Sequence, residues 1–116
     1  MRKSDIEFLK HILKECDYLM NKIVNLSEDD FYQDETLQRA FTRCLEIIGE
    51  AAKRVDFDFR IRYKEIPWKE MSGMRDIIIH YYEGVDYQVV WSTIINKIPD
   101  LHFQISSIIS EHNNNL

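Results

Sequence analysis

Glycine and proline are scarce in this chain, three and two residues among 116. An all-β fold needs such residues for its many tight turns, so helices are the economical reading. Cysteine is scarce too: Cys16 and Cys44 stand alone, with no Cys-x-x-Cys and no His-x-x-x-His spacing anywhere. A metal centre therefore has no support. Both thiols fall on apolar helical positions and read as reduced core residues of a cytoplasmic protein. No apolar run approaches a membrane span, and Asp5, Glu7 and Lys10 interrupt the start where a secretory leader needs an unbroken apolar stretch. Positive charge is also short. The formal net charge is -5, so no global field recruits nucleic acid, and any such partner has to meet a local patch.

What remains is an ordinary folding chain. Hydrophobic residues make up 45% and charged residues 30%, which places it among globular rather than disordered sequences. Its length fits one domain over residues 1–116 with a single core.

Apolar residues mark the elements. Ile6, Leu9, Leu13, Cys16, Met20 and Ile23 recur at gaps of three and four, one face of a first helix. Ser4 with Glu7 has the form of a capping box at its start. Ser27 with Asp30 repeats that form before FYQ, a single helical turn. A second helix starts at Asp34 and carries Leu37, Phe41, Cys44, Ile48, Ala51 and Val55. Gly49 inside it costs about 1 kcal/mol against alanine, which points to close approach by another helix. In VDFDFRIRYKEIPW, Phe57, Phe59, Ile61 and Tyr63 alternate with charges. That is a strand's period, but a lone strand in a helical chain leaves its backbone unpaired, so the segment is read as a loop. Pro67 opens a third helix running to Glu83 and stopping at Gly84. Asp86 caps a fourth, with Val90, Trp91, Ile94, Ile95 and Ile98 inward. Pro99 opens a short last helix, and residues 111–116 form a frayed tail. The fold class expected is an all-α antiparallel bundle of four to five helices.

One stretch, MRDIIIHYYEGVD (residues 74–86), mixes core and chemistry. At about 100° per residue, a continuous helix sends Met71, Met74, Ile77, Ile78 and Tyr81 inward. Arg75, Asp76, His80 and Tyr82 then share the outward half, with Ile79 among them. An isoleucine amid charges suggests a cover, most simply a second copy of the chain. Arginine offers a planar fork of donors to a phosphate, and histidine exchanges protons near neutrality. Asp76, four residues before His80, is placed to orient the imidazole. Arginine beside such a histidine suits metal-free RNA cleavage, in which the ribose hydroxyl is the nucleophile. By spacing alone, such a cluster on a helix surface is most often a solvated salt-bridge face.

The wider stretch IPWKEMSGMRDIIIHYYEGVDYQVVW, with CLEIIGEAAKRV upstream, resembles the HepT-like branch of the HEPN superfamily. Its motif Arg-x4-His-x-Tyr falls on Arg75, His80 and Tyr82. The resemblance implies a homodimeric HEPN-type helical bundle with the two motifs in a cleft at the interface. It implies a metal-independent ribonuclease toxin, without a cofactor of its own, acting on tRNA. Its partner would be an MntA-type nucleotidyltransferase antitoxin that uses ATP for AMPylation of the motif tyrosine, here Tyr82. By position, Arg75 and His80 are the catalytic pair and Asp76 supports them, while Ile79 marks the dimer interface. On the helical wheel Tyr82 lies near Arg75, so an adenylyl group there could occupy the phosphate site. Arg60, Arg62 and Lys64, with Lys53 and Arg54, are the candidates for RNA binding. His11, His102 and His112 read as surface residues, and Trp68 and Trp91 as core or interface anchors. A non-catalytic HEPN module that binds RNA, or partners a nucleotidyltransferase, is the alternative from another class.

Overall fold

Ser27, Asp34 and Asp86 each accept a hydrogen bond from a backbone N–H two or three residues on, and so open three of the helices. The computed structural model describes residues 2–80 and 84–115, His80 through its backbone alone. Among these residues seven helices run in order: α1 (Lys3–Lys22), α2 (Glu28–Gln33), α3 (Glu35–Arg54), α4 (Phe57–Arg62), α5 (Trp68–Ser72), α6 (Met74–Ile78) and α7 (Tyr87–Asn114). Between α6 and α7 lie β1 (Ile79–His80) and β2 (Gly84–Val85), paired antiparallel with Ile79 opposite Val85. The architecture is the all-α bundle the sequence implies.

Helix α1 packs against both α3 and α7. Asp5 near its start accepts from the Asp56 N–H just beyond the end of α3, at 2.9 Å, so α1 and α3 run antiparallel. At the other end of α1, Phe31 of α2 stacks on Phe41 of α3, with ring centroids 5.3 Å apart, and meets Trp91 of α7 at 5.4 Å. The start of α7 therefore lies by the end of α1, antiparallel again. His102 of α7 and Asp17 of α1 close that seam at 2.6 Å. Leu9, Ile12, Leu19, Leu45, Ile48, Ile94 and Ile98 fill the space between with no exposed surface.

Gly49 has the role its cost suggested. A Cβ there would stand 2.8 Å from the Met71 carbonyl oxygen and 3.5 Å from the Met74 Cβ. The bare glycine lets α3 meet the α5–α6 corner backbone to backbone. Both cysteines are free and buried. Burial, reinforced by nearby carboxylates, pushes the Cys16 and Cys44 thiols up to about 12. They should resist a neutral-pH thiol reagent in the folded protein and react in urea; rapid native labelling would contradict the packing.

Asp5 is a buried carboxylate, 2% exposed. Burial alone would raise its pKa, but Arg2's hydrogen bonds, the Asp56 amide and Arg2's charge together outweigh burial and hold it below the usual range. Its stabilising contribution is thus complete above about pH 4 and lost as pH falls through the lower folded value. Asp5→Asn should cost on the order of 1–2 kcal/mol at pH 7. The gap from wild type should narrow at pH 3, as read by urea unfolding at the two pH values.

Five local expectations are corrected. First, α1 begins at Lys3 with Arg2 as N-cap, so Ser4 does not cap it. Second, the stretch read as a loop holds α4. A helix splits its alternating apolar residues, turning Phe59 and Tyr63 inward and leaving Phe57 and Ile61 outside. Third, the helix expected over residues 67–83 breaks at Gly73 and ends at Ile78. Three consecutive β-branched isoleucines favour extended backbone there, and Ile79 and His80 form β1. Fourth, α7 passes through Pro99 as one helix and stays helical to Asn114, so residues 111–114 are not a frayed end. Fifth, Ile77 and Ile95, expected inward, are 49% and 41% exposed.

Candidate active site

Five residues make up α6, and its two ends are its anchors. Met74 and Ile78 are buried, one turn apart, while Arg75, Asp76 and Ile77 between them face solvent. Gly73 ends α5 by donating to the Lys69 carbonyl, and its own carbonyl accepts from Asp76 and Ile77 N–H. The short helix is thus set off from α5 by a corner that packs against Gly49. After Ile78 the chain turns into β1. The Asp86 N–H donates back to the Ile78 carbonyl at 2.7 Å, and β2 pairs with β1. Gly84 has φ 80°, the left-handed region that glycine enters without a steric penalty. This loop returns the chain beside α6 and directly into the α7 cap, Asp86.

The arrangement places Arg75 on α6 and His80 in β1. Arg75 is exposed on α6, and no carboxylate of the described residues forms a salt bridge with it. Its guanidinium can accept an anion from solvent. His80 stands in β1, two residues past the end of α6. The four-residue helical relation that would set Asp76 against His80, and the helical face that would join Arg75 to Tyr82, both end with that helix. Tyr82 itself lies outside the described residues. Ile79 is half-buried against the core, and the isoleucine that stands out to solvent is Ile77. Spacing could have flagged Ile77, since the residues three before and one after it supply the anchors.

The basic candidates divide. Arg60 is held by the end of α3, donating to the carbonyls of Val55, Ala52 and Lys53 at 3.1, 2.7 and 2.7 Å. It is a C-cap, satisfying carbonyls the helix leaves open. Arg62 lies over the Tyr63 ring at 5.4 Å and lines a cleft with Asp5, Asp56 and Asp58. Lys64 is exposed. Trp68 and Trp91 are packing anchors: the Trp68 indole donates to the Tyr63 carbonyl at 3.0 Å inside the core, and Trp91 packs on Phe31. Among the described residues no three histidine, cysteine, aspartate or glutamate side chains assemble a metal-binding group. Nor is any helix among them long and apolar enough to cross a membrane.

Comparison with known proteins agrees with the motif. A family model described as "Ribonuclease HepT-like" matches residues 11–108, which include α3, the α5–α6 corner and the paired strands. A protein of Caldanaerobacter subterraneus subsp. tengcongensis named "Putative RNase TTE0752" is 45% identical over 109 residues, covering 94% of this chain and 97% of its own. "Putative RNase MJ1216" of Methanocaldococcus jannaschii is 42% identical, covering 96% and 93%. "Probable ribonuclease HepT" of Thermococcus cleftensis is 41% identical, covering 87% and 92%. No solved structure matches. With a family model matching residues 11–108 and relatives aligned over nearly their whole length, the chain belongs to the HepT-like ribonuclease family of HEPN proteins.

Proposed function

We propose that the chain is a metal-independent endoribonuclease, the toxin of a toxin–antitoxin pair, cutting tRNA in the cytoplasm as a homodimer. The observation that carries this reading is the exposed Arg75 on α6, without a described carboxylate partner and five residues ahead of His80. In the reaction the ribose 2′-oxygen attacks the adjacent phosphorus, the bond to the 5′-oxygen breaks, and the products end in a 2′,3′-cyclic phosphate and a 5′-hydroxyl. His80 carries a proton in this exchange, and Arg75 stabilises charge on the phosphate oxygens. One chain supplies one motif histidine. A symmetric pair supplies two, so that one removes the proton from the 2′-hydroxyl and the other protonates the leaving oxygen. The exposed Ile77 suits such a pairing surface.

Control lies at Tyr82. An MntA-type nucleotidyltransferase transfers AMP from ATP to its hydroxyl and releases pyrophosphate. The added phosphate is an anion for which Arg75 is a suitable partner. The test is expression of wild type, His80→Ala and Tyr82→Phe, each with and without an MntA-type nucleotidyltransferase, with small RNA examined on a gel and the protein weighed intact. Wild type alone should arrest growth and yield discrete RNA fragments. Co-expression should relieve arrest and add AMP to wild type but not to Tyr82→Phe. Equal RNA profiles from wild type and His80→Ala would overturn the proposal.

A further inference from the structure

The outward face of α4 carries two large apolar side chains. Phe57 and Ile61, one turn apart, are 71% and 56% exposed. They line an open groove of about 660 Å³ that continues over the outer side of α5. Its charged walls are chiefly cationic: Lys64 and Lys69 are both exposed, against one carboxylate, Glu70, while Arg60 is tied to the end of α3. No described salt bridge engages either lysine. Ser72 also lines the groove, three residues before Arg75 in the chain.

We propose that this groove seats single-stranded RNA, with an unpaired base stacked on Phe57 and backbone phosphates met by Lys64 and Lys69. The assignment rests on the ribonuclease reading and adds a binding track to it. An exposed aromatic ring flanked by mobile cations is the combination by which single strands are held without base-specific hydrogen bonds: the ring offers a π-face to any base, and the ammonium groups follow the backbone. A net charge of -5 makes this local reversal of sign the feature that a polyanion would find. Helix α5 forms one wall and leads through a single glycine into α6, so the groove and Arg75 lie on consecutive short helices. Arg62 is not part of the track, because it faces the cleft shared with Asp56 and Asp58 on the other side of α4.

The experiment measures fluorescein-labelled oligoadenylate RNA binding by anisotropy, using the full His80→Ala chain so that the probe is not consumed. Phe57→Ala in that background should weaken binding on the order of tenfold, and Phe57→Trp should retain it. Lys64→Gln and Lys69→Gln should each lower the slope of log affinity against log salt by about 0.7, one phosphate contact on a single strand. Phe57 is largely exposed, so these variants should fold, which a thermal melt checks. Unchanged affinity in Phe57→Ala and unchanged salt slopes in both lysine variants would overturn the track. So would a change in molar mass by light scattering in Phe57→Ala without loss of RNA, since the face would then be a contact between copies. Cleavage by otherwise wild-type enzyme separates the two readings. Cleavage with unaltered KM in Phe57→Ala sinks the groove and leaves the ribonuclease. Phe57-dependent binding without any cleavage keeps the groove and sinks the ribonuclease.

Discussion

Arg75→Ala should leave the fold intact and slow RNA cleavage by about 10²–10³-fold, and His80→Ala should slow it by about 10²–10⁴-fold. Arg75 is exposed and makes no ion pair among the described residues, so its loss removes no packing or buried partner. Arg75→Lys should recover only part of the rate, because an ammonium keeps the charge but cannot present two parallel donors to a phosphate. The effect should fall on kcat more than on KM if the guanidinium serves the charge that develops during the reaction. A full rate with Arg75→Ala would remove the arginine from the chemistry altogether. If two histidines divide the acid and base roles, a mixed dimer of one wild-type and one His80→Ala chain holds a single motif histidine and should be as slow as the His80→Ala homodimer.

Gly49→Val should cost about 3 kcal/mol, lowering the melting temperature by roughly 10 °C. Alanine is the sharper comparison. By helix propensity alone Gly49→Ala would stabilise α3 by about 1 kcal/mol. The Cβ, however, meets a backbone carbonyl oxygen, that of Met71, at 2.8 Å, and neither partner is a flexible side-chain end. The clash should outweigh the propensity gain and leave Gly49→Ala less stable than wild type. Since Met71 and Met74 flank the α5–α6 corner, both variants should also displace Arg75 and lose activity beyond their loss of folded protein. A more stable Gly49→Ala, by thermal melt, would show that α3 and the corner are not in tight contact.

The caps and the main stripes could be read from the residues because their signals are local. Ser27, Asp34 and Asp86 sit directly before apolar-periodic runs, and each accepts the backbone N–H that its type predicts. The stripe of α3 and the close approach at Gly49 likewise follow from spacing and from one unfavourable residue. Where reading failed, tertiary context had decided. Phe57, Phe59, Ile61 and Tyr63 have a strand's period, yet Phe59 and Tyr63 find the Trp68 ring and the core while Phe57 and Ile61 are left out. That is a helix with two apolar sides, which period-two counting cannot separate. Pro99, lacking an N–H, reads as a helix start. The buried run Val90, Ile94, Ile98, Leu101, Ile105 and Ile108 crosses it unbroken, and burial along that stripe outweighs one missing bond to Ile95.

The candidate site was legible as a motif but not as geometry. The pattern of Arg75 and His80 identifies the family, and the family model spans both. A continuous helix, however, was the wrong frame for placing them, because Ile77, Ile78 and Ile79 weaken a helix that is only five residues long. Asp76 keeps its exposed place on α6, without the helical step to His80 on which its supporting role depended.

The most direct test of the chemistry is to incubate purified protein with tRNA in excess chelator and determine the ends of the products. Wild type should cleave, leaving 2′,3′-cyclic phosphate on one fragment and 5′-hydroxyl on the other, and His80→Ala should yield neither. Cleavage that requires a divalent cation, or fragments carrying 3′-hydroxyl and 5′-phosphate ends, would contradict it.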